Sequence, residues 1–333
     1  MSRLLLVTPT FHGYGTSIAD ALRRRGHEVA EHRYDDVGPV RKKLRYELPE
    51  RLGRTSPEQL RAEITARTVA RLRAERPEVV LVVKGDVLGE DFWGLLDERR
   101  LPRVLWLYDE LARMAHPLDR LGQVGPVASY SPHDVARLDA AGVPARHLPL
   151  AHDPYVAHGA VREREDVVFV GARYPRREEL LLGLQAAGVA VTAYGRDWSR
   201  HPVDRLRTWG GARPALPTGR DLDRPAAYAA MAGARGALNV HGDQDGFTMR
   251  TFEACGVGGL QLIDRSDVGE LYEPGEELLV FHDLEHLVEL LTRARTDAAW
   301  AERVRRRGAA RTLAEHTVDH RVAVLEELWS TWG

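Results

Sequence analysis

Eighteen consecutive residues, Asn239 to Gly256, hold the densest chemistry in the chain. The apolar run ending at Asn239 and Val240 reads as a strand. It delivers the chain to a loop, His241-Gly242-Asp243-Gln244-Asp245-Gly246-Phe247, and a helix pattern begins at Thr248. The first N–H groups of a helix lack intrahelical acceptors, and that end carries partial positive charge, so such a turn suits a diphosphate. Thr248 and Met249 would present this turn, and Arg250 adds a full charge with a planar fork of donors. Glu253, one turn in, can accept two ribose hydroxyls; the plainer reading is a solvated helix residue. Asp245, ahead of the helix, can bind a hydroxyl of whatever follows the phosphates.

The first half offers fewer candidates. Asp109 follows the apolar run Val104 to Leu107, at what would be the carboxyl edge of a sheet, where ligands of parallel sheets bind. It is a candidate general base for an acceptor hydroxyl, or else a helix N-cap. His12 lies at the same edge and is a second candidate base. His12-Gly13-Tyr14-Gly15, with Asp35 about 20 residues on, begins a dinucleotide fingerprint. Ile18 stands at its third glycine position and disfavours an NAD enzyme. Two Asp-x-Asp triplets, 221–223 and 243–245, are the patterns that could hold a divalent metal at a diphosphate. No metal site is expected, because short acidic triplets arise by chance in a charged chain. Gly-x-Ser-x-Gly and His-Glu-x-x-His are absent, which removes support for common hydrolase and zinc-protease patterns.

These residues need a scaffold, and the pattern is strand–helix alternation. Leu4–Thr8, 79–83, 103–107 and 127–130 read as buried parallel strands. Helices are expected at 58–75 and 132–141, the latter opened by Ser131-Pro132. Residues 150–165 lack periodicity and form the candidate linker. The pattern then restarts with strands at 167–170, 189–194, 237–240 and 260–263, and helices at 177–187 and 226–232. Residues 199–224 read as irregular, and the last fifty or so as amphipathic helix. Strands alternating with helices predict an α/β protein with doubly wound parallel sheets.

Composition bounds the partners. The chain has 333 residues, with 47 basic against 49 acidic side chains and a net charge of −2. That balance argues against nucleic acid or an anionic membrane as a bulk electrostatic partner. Three basic residues are lysines, Lys42, Lys43 and Lys84, which leaves 44 arginines among the 47. The arginine excess is spread along the chain and reads as composition. Cys255 is the single cysteine, so neither an internal disulfide nor a cysteine metal cage is expected. No apolar stretch approaches the roughly 18 residues of a membrane span, and a cytoplasmic protein is expected.

The stretch Asp245-Gly246-Phe247 … Phe252-Glu253-Ala254-Cys255-Gly256 resembles the acid-x7-acid motif of group 1 glycosyltransferases of the GT-B fold, with Asp in place of the first Glu. Arg250 in Arg-x-Phe-Glu is similar to the CgeB-type branch, first named for a spore-maturation protein. Phe169-Val170-Gly171 with Arg177, Tyr194-Gly195-Arg196-Asp197-Trp198, Trp106-Leu107-Tyr108-Asp109 and His316-Thr317 with Arg321 also resemble that branch.

The resemblance implies two Rossmann-like domains facing a cleft. Residues 1–155 would bind the acceptor and 156–317 a nucleotide-diphosphate sugar, with the helix at 318–331 crossing back to the first domain. It implies Glu253 on the ribose, and Asp245 and the backbone at Gly246, Phe247 and Thr248 on the donor sugar. Thr248, Met249, Arg250 and Arg177 would face the diphosphate, with Arg173 a weaker assistant and Asn239 at the strand end. Tyr194, Gly195 and Trp198 would lie near the base, though both aromatics read equally as core. A small-molecule acceptor is expected, together with a loop on its side at 36–56 carrying Arg41, Lys42, Lys43 and Arg45. No cofactor beyond the donor substrate is implied. The competing readings are a sugar-nucleotide epimerase of the same fold and a binding scaffold without turnover.

Overall fold

The structure, a computed structural model, describes residues 1–10, 12–36, 57–208 and 211–331. Residues 37–56, with Arg41, Lys42, Lys43 and Arg45 of the expected acceptor-side loop, lie outside the described residues. The chain divides into two compact units, one comprising residues 1–149 and 318–333 and the other residues 150–317.

The first unit begins with β1 (Arg3–Thr8), α1 (Tyr14–Arg24), β2 (Glu28–Arg33), α2 (Pro57–Glu75), β3 (Val79–Val83) and α3 (Glu90–Glu98). It continues with β4 (Arg103–Leu107), α4 (Leu118–Val124), β5 (Val127–Ser129), α5 (Pro132–Ala140) and β6 (Ala145–His147). The sheet is wholly parallel, in the order β2-β1-β3-β4-β5-β6. Every residue of β3 and β4 is buried, because helices cover both faces of a doubly wound sheet. That burial includes Arg103, whose guanidinium donates to the carbonyls of Gln123 and Val124 and pairs with Asp97. The opening of α5 is as expected: Ser131 accepts from the Asp134 N–H at 3.1 Å, with Pro132 at the first helical position.

The second unit repeats the plan. It runs β7 (Val167–Val170), α6 (Pro175–Ala186), β8 (Val191–Tyr194), α7 (Pro202–Arg207), β9 (Thr218–Gly219) and α8 (Arg224–Gly233). Then come β10 (Gly236–Asn239), α9 (Met249–Gly256), β11 (Gln261–Ile263), β12 (Leu279–Val280), α10 (Leu284–Thr296) and α11 (Ala298–Glu315). This sheet is also parallel, in the order β12-β11-β10-β7-β8-β9. The stretch 199–224, expected to be irregular, contains α7 and β9. Both are too short to show a period. Asp223 of the first acidic triplet is the N-cap of α8, accepting from the Ala226 N–H at 2.9 Å. Asp221 pairs with Arg196 at 3.6 Å.

One departure concerns the start of the second unit. Leu150 to Asp153, expected in the linker, are buried. The His152 N–H donates to the His316 carbonyl at 2.9 Å, which ties this segment to the second unit ahead of residue 155. The last helix, α12 (Val318–Thr331), belongs to the first unit. Its buried stripe is Val318, Val322, Leu325 and Trp329, each worth on the order of 2 kcal/mol of apolar burial. Arg24 of α1 forms a two-bond pair with Asp319 at 3.0 and 2.9 Å, and His27 meets Glu326 at 2.9 Å. No helix among the described residues is long and apolar enough to cross a membrane.

Candidate functional site

In the second sheet the chain leaves β7 toward β8 and β9, then returns to the other side of β7 to build β10, β11 and β12. The strand order reverses between β7 and β10, and the carboxyl edge at such a reversal is where doubly wound sheets bind ligands. The loops that leave this edge carry nearly all of the donor-side residues named from sequence.

The loop from His241 to Thr248 is shaped by the two residues after β11. Asp264 accepts from the His241 backbone N–H at 2.9 Å and faces its Nδ1 at 3.3 Å. Burial pushes the Asp264 carboxyl up, but hydrogen bonds from the His241 side chain and backbone outweigh it and hold the group below its ordinary value. Arg265 donates to the carbonyls of Gln244 at 2.9 Å and Asp245 at 2.5 Å. Its guanidinium lies 4.2 Å from the centre of the Phe247 ring, and His241 meets that ring edge-on at 5.6 Å. Asp245, Phe247 and Thr248 are half-buried and Gly246 is buried. Thr248 is the N-cap of α9 and makes no side-chain capping bond. Asn239 is buried; its amide donates to the Thr251 hydroxyl at 2.9 Å, so it locks the strand to the helix that follows.

Glu253 is wholly buried, contrary to a solvated helix position. One carboxylate oxygen accepts from Arg250 at 2.6 Å and the other from the Tyr228 hydroxyl at 3.4 Å. The Arg250 side chain keeps 24% of its surface exposed. Burial and the Glu253 charge push the Tyr228 hydroxyl up. Behind Tyr228 stands His152, with ring centres 5.2 Å apart. A Cβ on Gly256 would lie 2.5 Å from the His152 ring, so only glycine lets α9 approach that closely.

His152 has a measurable consequence. Burial pushes its pKa from 6.5 down to about 4. Between those values an unfolded chain takes up a proton that the folded chain refuses. Its contribution is therefore complete above pH 6.5 and is lost as pH falls toward 4, up to about 3 kcal/mol. Urea unfolding of the native chain and of His152→Leu at pH 7.5 and 4.5 should show a smaller acid loss in the variant. Equal losses would remove His152 as the cause.

Arg177, in the first turn of α6, reaches across the strand reversal. It donates to the Val240 carbonyl at 2.9 Å and the Ala172 carbonyl at 3.0 Å, and lies 4.7 Å from the Tyr174 ring centre. It holds the loops after β7 and β10 together beside Arg250's helix. Arg173 is turned elsewhere, onto Glu178 at 2.7 Å and the Ala212 carbonyl at 2.6 Å. Gly195 has φ +150°, and a Cβ there would lie 2.5 Å from the Gly171 carbonyl oxygen. Trp198 is wholly buried and donates to that same carbonyl at 2.9 Å. It shapes the loop after β8 and presents no face to a ligand. Tyr194 is half-buried, with the Arg164 guanidinium 5.6 Å from its ring centre.

In the first unit Asp109 follows β4, and its carboxylate meets Lys84 at 3.1 Å. It does not cap the helical turn at Leu111–Arg113, whose first N–H goes to Asp134 at 2.9 Å. His12 is exposed, in a left-handed backbone with φ 44°. Asp35, the would-be ribose acid of an NAD site, accepts from the Thr10 backbone N–H and so braces the loop after β1.

Sequence reasoning missed Asp264, Arg265, Tyr228, His152 and Lys84. Asp264-Arg265 carries a signal it could have used, since it follows a buried strand just as Asp109 does. Tyr228 and His152 carry none, because neither belongs to a local pattern.

Residues 176–327 match the family model described as Glycosyl transferase-like. Over that span the chain is similar to that family. No curated protein matches it by sequence. Among solved structures it resembles sucrose-phosphate synthase from Thermosynechococcus elongatus, with TM-score 0.68 and 15% identity over 99% of this chain and 98% of that one. It resembles HepE from Anabaena in complex with UDP-glucose, with TM-score 0.68 and 15% identity over 99% and 100%. A glycosyltransferase of avilamycin A biosynthesis follows, with TM-score 0.62 and 14% identity over 100% and 98%. These likenesses establish the GT-B fold for the chain. Its two six-stranded parallel sheets are those of that fold.

Proposed function

We propose that the chain transfers a sugar from a nucleotide-diphosphate sugar to a small-molecule acceptor. The observation that supports this reading most is the pairing of Arg250 with buried Glu253 at the start of α9, beside the strand reversal. A buried carboxylate is costly unless partnered, so its retention beside a helix N-terminus fits a ribose site next to a diphosphate site. In this reading Glu253 holds the ribose, and Asp245 with the backbone at Gly246, Phe247 and Thr248 holds the sugar. The first turn at Met249, Arg250 and Arg177 supply positive potential to the leaving diphosphate. That potential does the work a divalent metal would otherwise do, so we take transfer to be metal-independent. Arg250-Thr251-Phe252-Glu253 favours the CgeB-type branch. The HepE complex makes a UDP-sugar the first donor to try.

The test is turnover of UDP-, dTDP- and GDP-sugars by the full chain, with and without excess chelator. Release of nucleoside diphosphate that survives chelation supports the reading. Loss of turnover restored by Mg²⁺ or Mn²⁺ overturns metal independence. Conversion of one nucleotide sugar into its epimer without release would establish an epimerase instead. Donor binding without any turnover would leave a scaffold.

A further inference from the structure

We propose that Arg265 is the positioning residue for recognition of the donor sugar, acting through Asp245 and leaving the nucleotide untouched; this rests on the transferase reading above. Every residue involved lies in the unit of residues 150–317. β10 and β11 pair with Asn239 level with Ile263. Asp264 and Arg265 are the next two residues beyond β11, so they emerge beside the loop that leaves β10.

Each holds a different part of that loop. Asp264 takes its start, through the His241 N–H at 2.9 Å. Arg265 takes its middle: Nη1 donates to the carbonyls of Gln244 at 2.9 Å and Asp245 at 2.5 Å, and the guanidinium lies 4.2 Å from the centre of the Phe247 ring. Nε and Nη2 pair with the two oxygens of Asp267, in the turn Ser266–Glu270. Both edges of the fork and one face are therefore occupied by protein. Arg265 is built to hold a loop, in contrast to an arginine whose fork is offered to phosphate.

The two carbonyls it grips belong to the peptide units on either side of the Asp245 Cα. A peptide unit is planar, so fixing both carbonyls fixes φ and ψ of Asp245 and with them the direction in which its side chain leaves the backbone. Met249, Arg250 and Glu253 stand on α9, where the hydrogen bonds of the helix hold them. Sugar recognition therefore depends on Arg265 and nucleotide recognition does not. Packing alone would select a different arrangement. The Arg265 side chain keeps 18% of its surface exposed and that of Asp264 3%, and burying charge is costly even when it is paired. His241 Nε2 is buried and makes no hydrogen bond to protein, a further cost at the same loop. Costs gathered at one place mark a conformation kept for function.

The test measures binding of UDP and of UDP-glucose to the full chain by calorimetry. If another base is bound, the matching diphosphate and sugar replace them. Arg265→Lys keeps the charge but cannot span two carbonyls and Asp267, so it should weaken UDP-glucose about tenfold and leave UDP unchanged. Unchanged UDP affinity also reports that the unit is folded. Asp267→Asn, at a side chain 52% exposed, should weaken UDP-glucose about threefold in the same selective way. Asp245→Asn should weaken UDP-glucose at least as much as Arg265→Lys, and the two together should cost no more than Asp245→Asn alone, because the arginine acts through that carboxylate. Equal weakening of both ligands by Arg265→Lys, or of neither, or additive losses in the double variant, overturns the positioning role alone. Undiminished UDP-glucose affinity in Asp245→Asn overturns the sugar assignment on which the role rests. No binding of UDP-, dTDP- or GDP-sugars by the unsubstituted chain overturns the transferase reading and the positioning role with it.

Discussion

Arg250→Lys should lower kcat for donor turnover by about a hundredfold or more while the chain stays folded. The substitution keeps a cation within reach of Glu253, which is wholly buried and accepts from Arg250 at 2.6 Å. Removing that cation altogether would strand a buried carboxylate, a loss of about 3–5 kcal/mol that would confuse folding with chemistry. Lysine avoids that but gives up the planar fork that grips phosphate oxygens bidentately. A group that stabilises charge developing on the diphosphate acts most strongly in the transition state, so the loss should fall on kcat more than on donor affinity. Steady-state kinetics beside a thermal melt separates the two. A Lys variant with native kcat would confine Arg250 to pairing with Glu253.

Glu253→Gln should weaken binding of UDP by about a hundredfold, read by calorimetry. Two charge-assisted bonds from ribose hydroxyls, exchanged for neutral ones, account for roughly 3 kcal/mol. The glutamine keeps the shape of the side chain and an oxygen for Tyr228, which donates to Glu253 at 3.4 Å. Local packing against His152 and Gly256 should therefore survive. Glu253 shows no surface in this arrangement, so nucleotide binding at its carboxylate requires Arg250 to turn from Glu253 toward the phosphates. A lower melting temperature with undiminished UDP affinity would overturn the ribose assignment and leave Glu253 as the residue that fixes Arg250.

Much of this site was legible because its residues lie close together in the chain. Asp245, Arg250 and Glu253 fall within a single loop and helix, and periodicity alone places them after a buried strand. The strands were legible for a related reason: parallel strands covered on both faces must be apolar throughout, as in Val79-Val80-Leu81-Val82-Val83. Reading failed where a role depends on a distant partner. Trp198, which read equally as core or as base-side, and Asn239, expected at the donor site, are both buried and bond inward, to the Gly171 carbonyl and the Thr251 hydroxyl. Arg173 sits two residues from the helix that carries Arg177, yet it bonds to Glu178 and Ala212 instead. Short elements such as α7 and β9 span too few residues to show a period. Leu150 to Asp153 read as linker because the groups that meet them are distant in sequence: the His316 carbonyl accepts from the His152 N–H, Tyr228 and Gly256 pack against the His152 ring, and Arg224 pairs with Asp153.

Sequence by itself determined the α/β class, the strand–loop–helix that gathers Asp245, Arg250 and Glu253, and the helix at the end of the chain. Each is a property of neighbours along the backbone, where residue type and period are sufficient. Only the tertiary structure decided what those residues touch. It joined Glu253 to Tyr228, set Asp264 and Arg265 under the His241–Thr248 loop, packed α12 on α1, and brought Lys84 to Asp109 from an adjacent strand. Such contacts depend on strand order, and strand order is chosen by how whole helices and strands bury their apolar faces together, which no local pattern encodes.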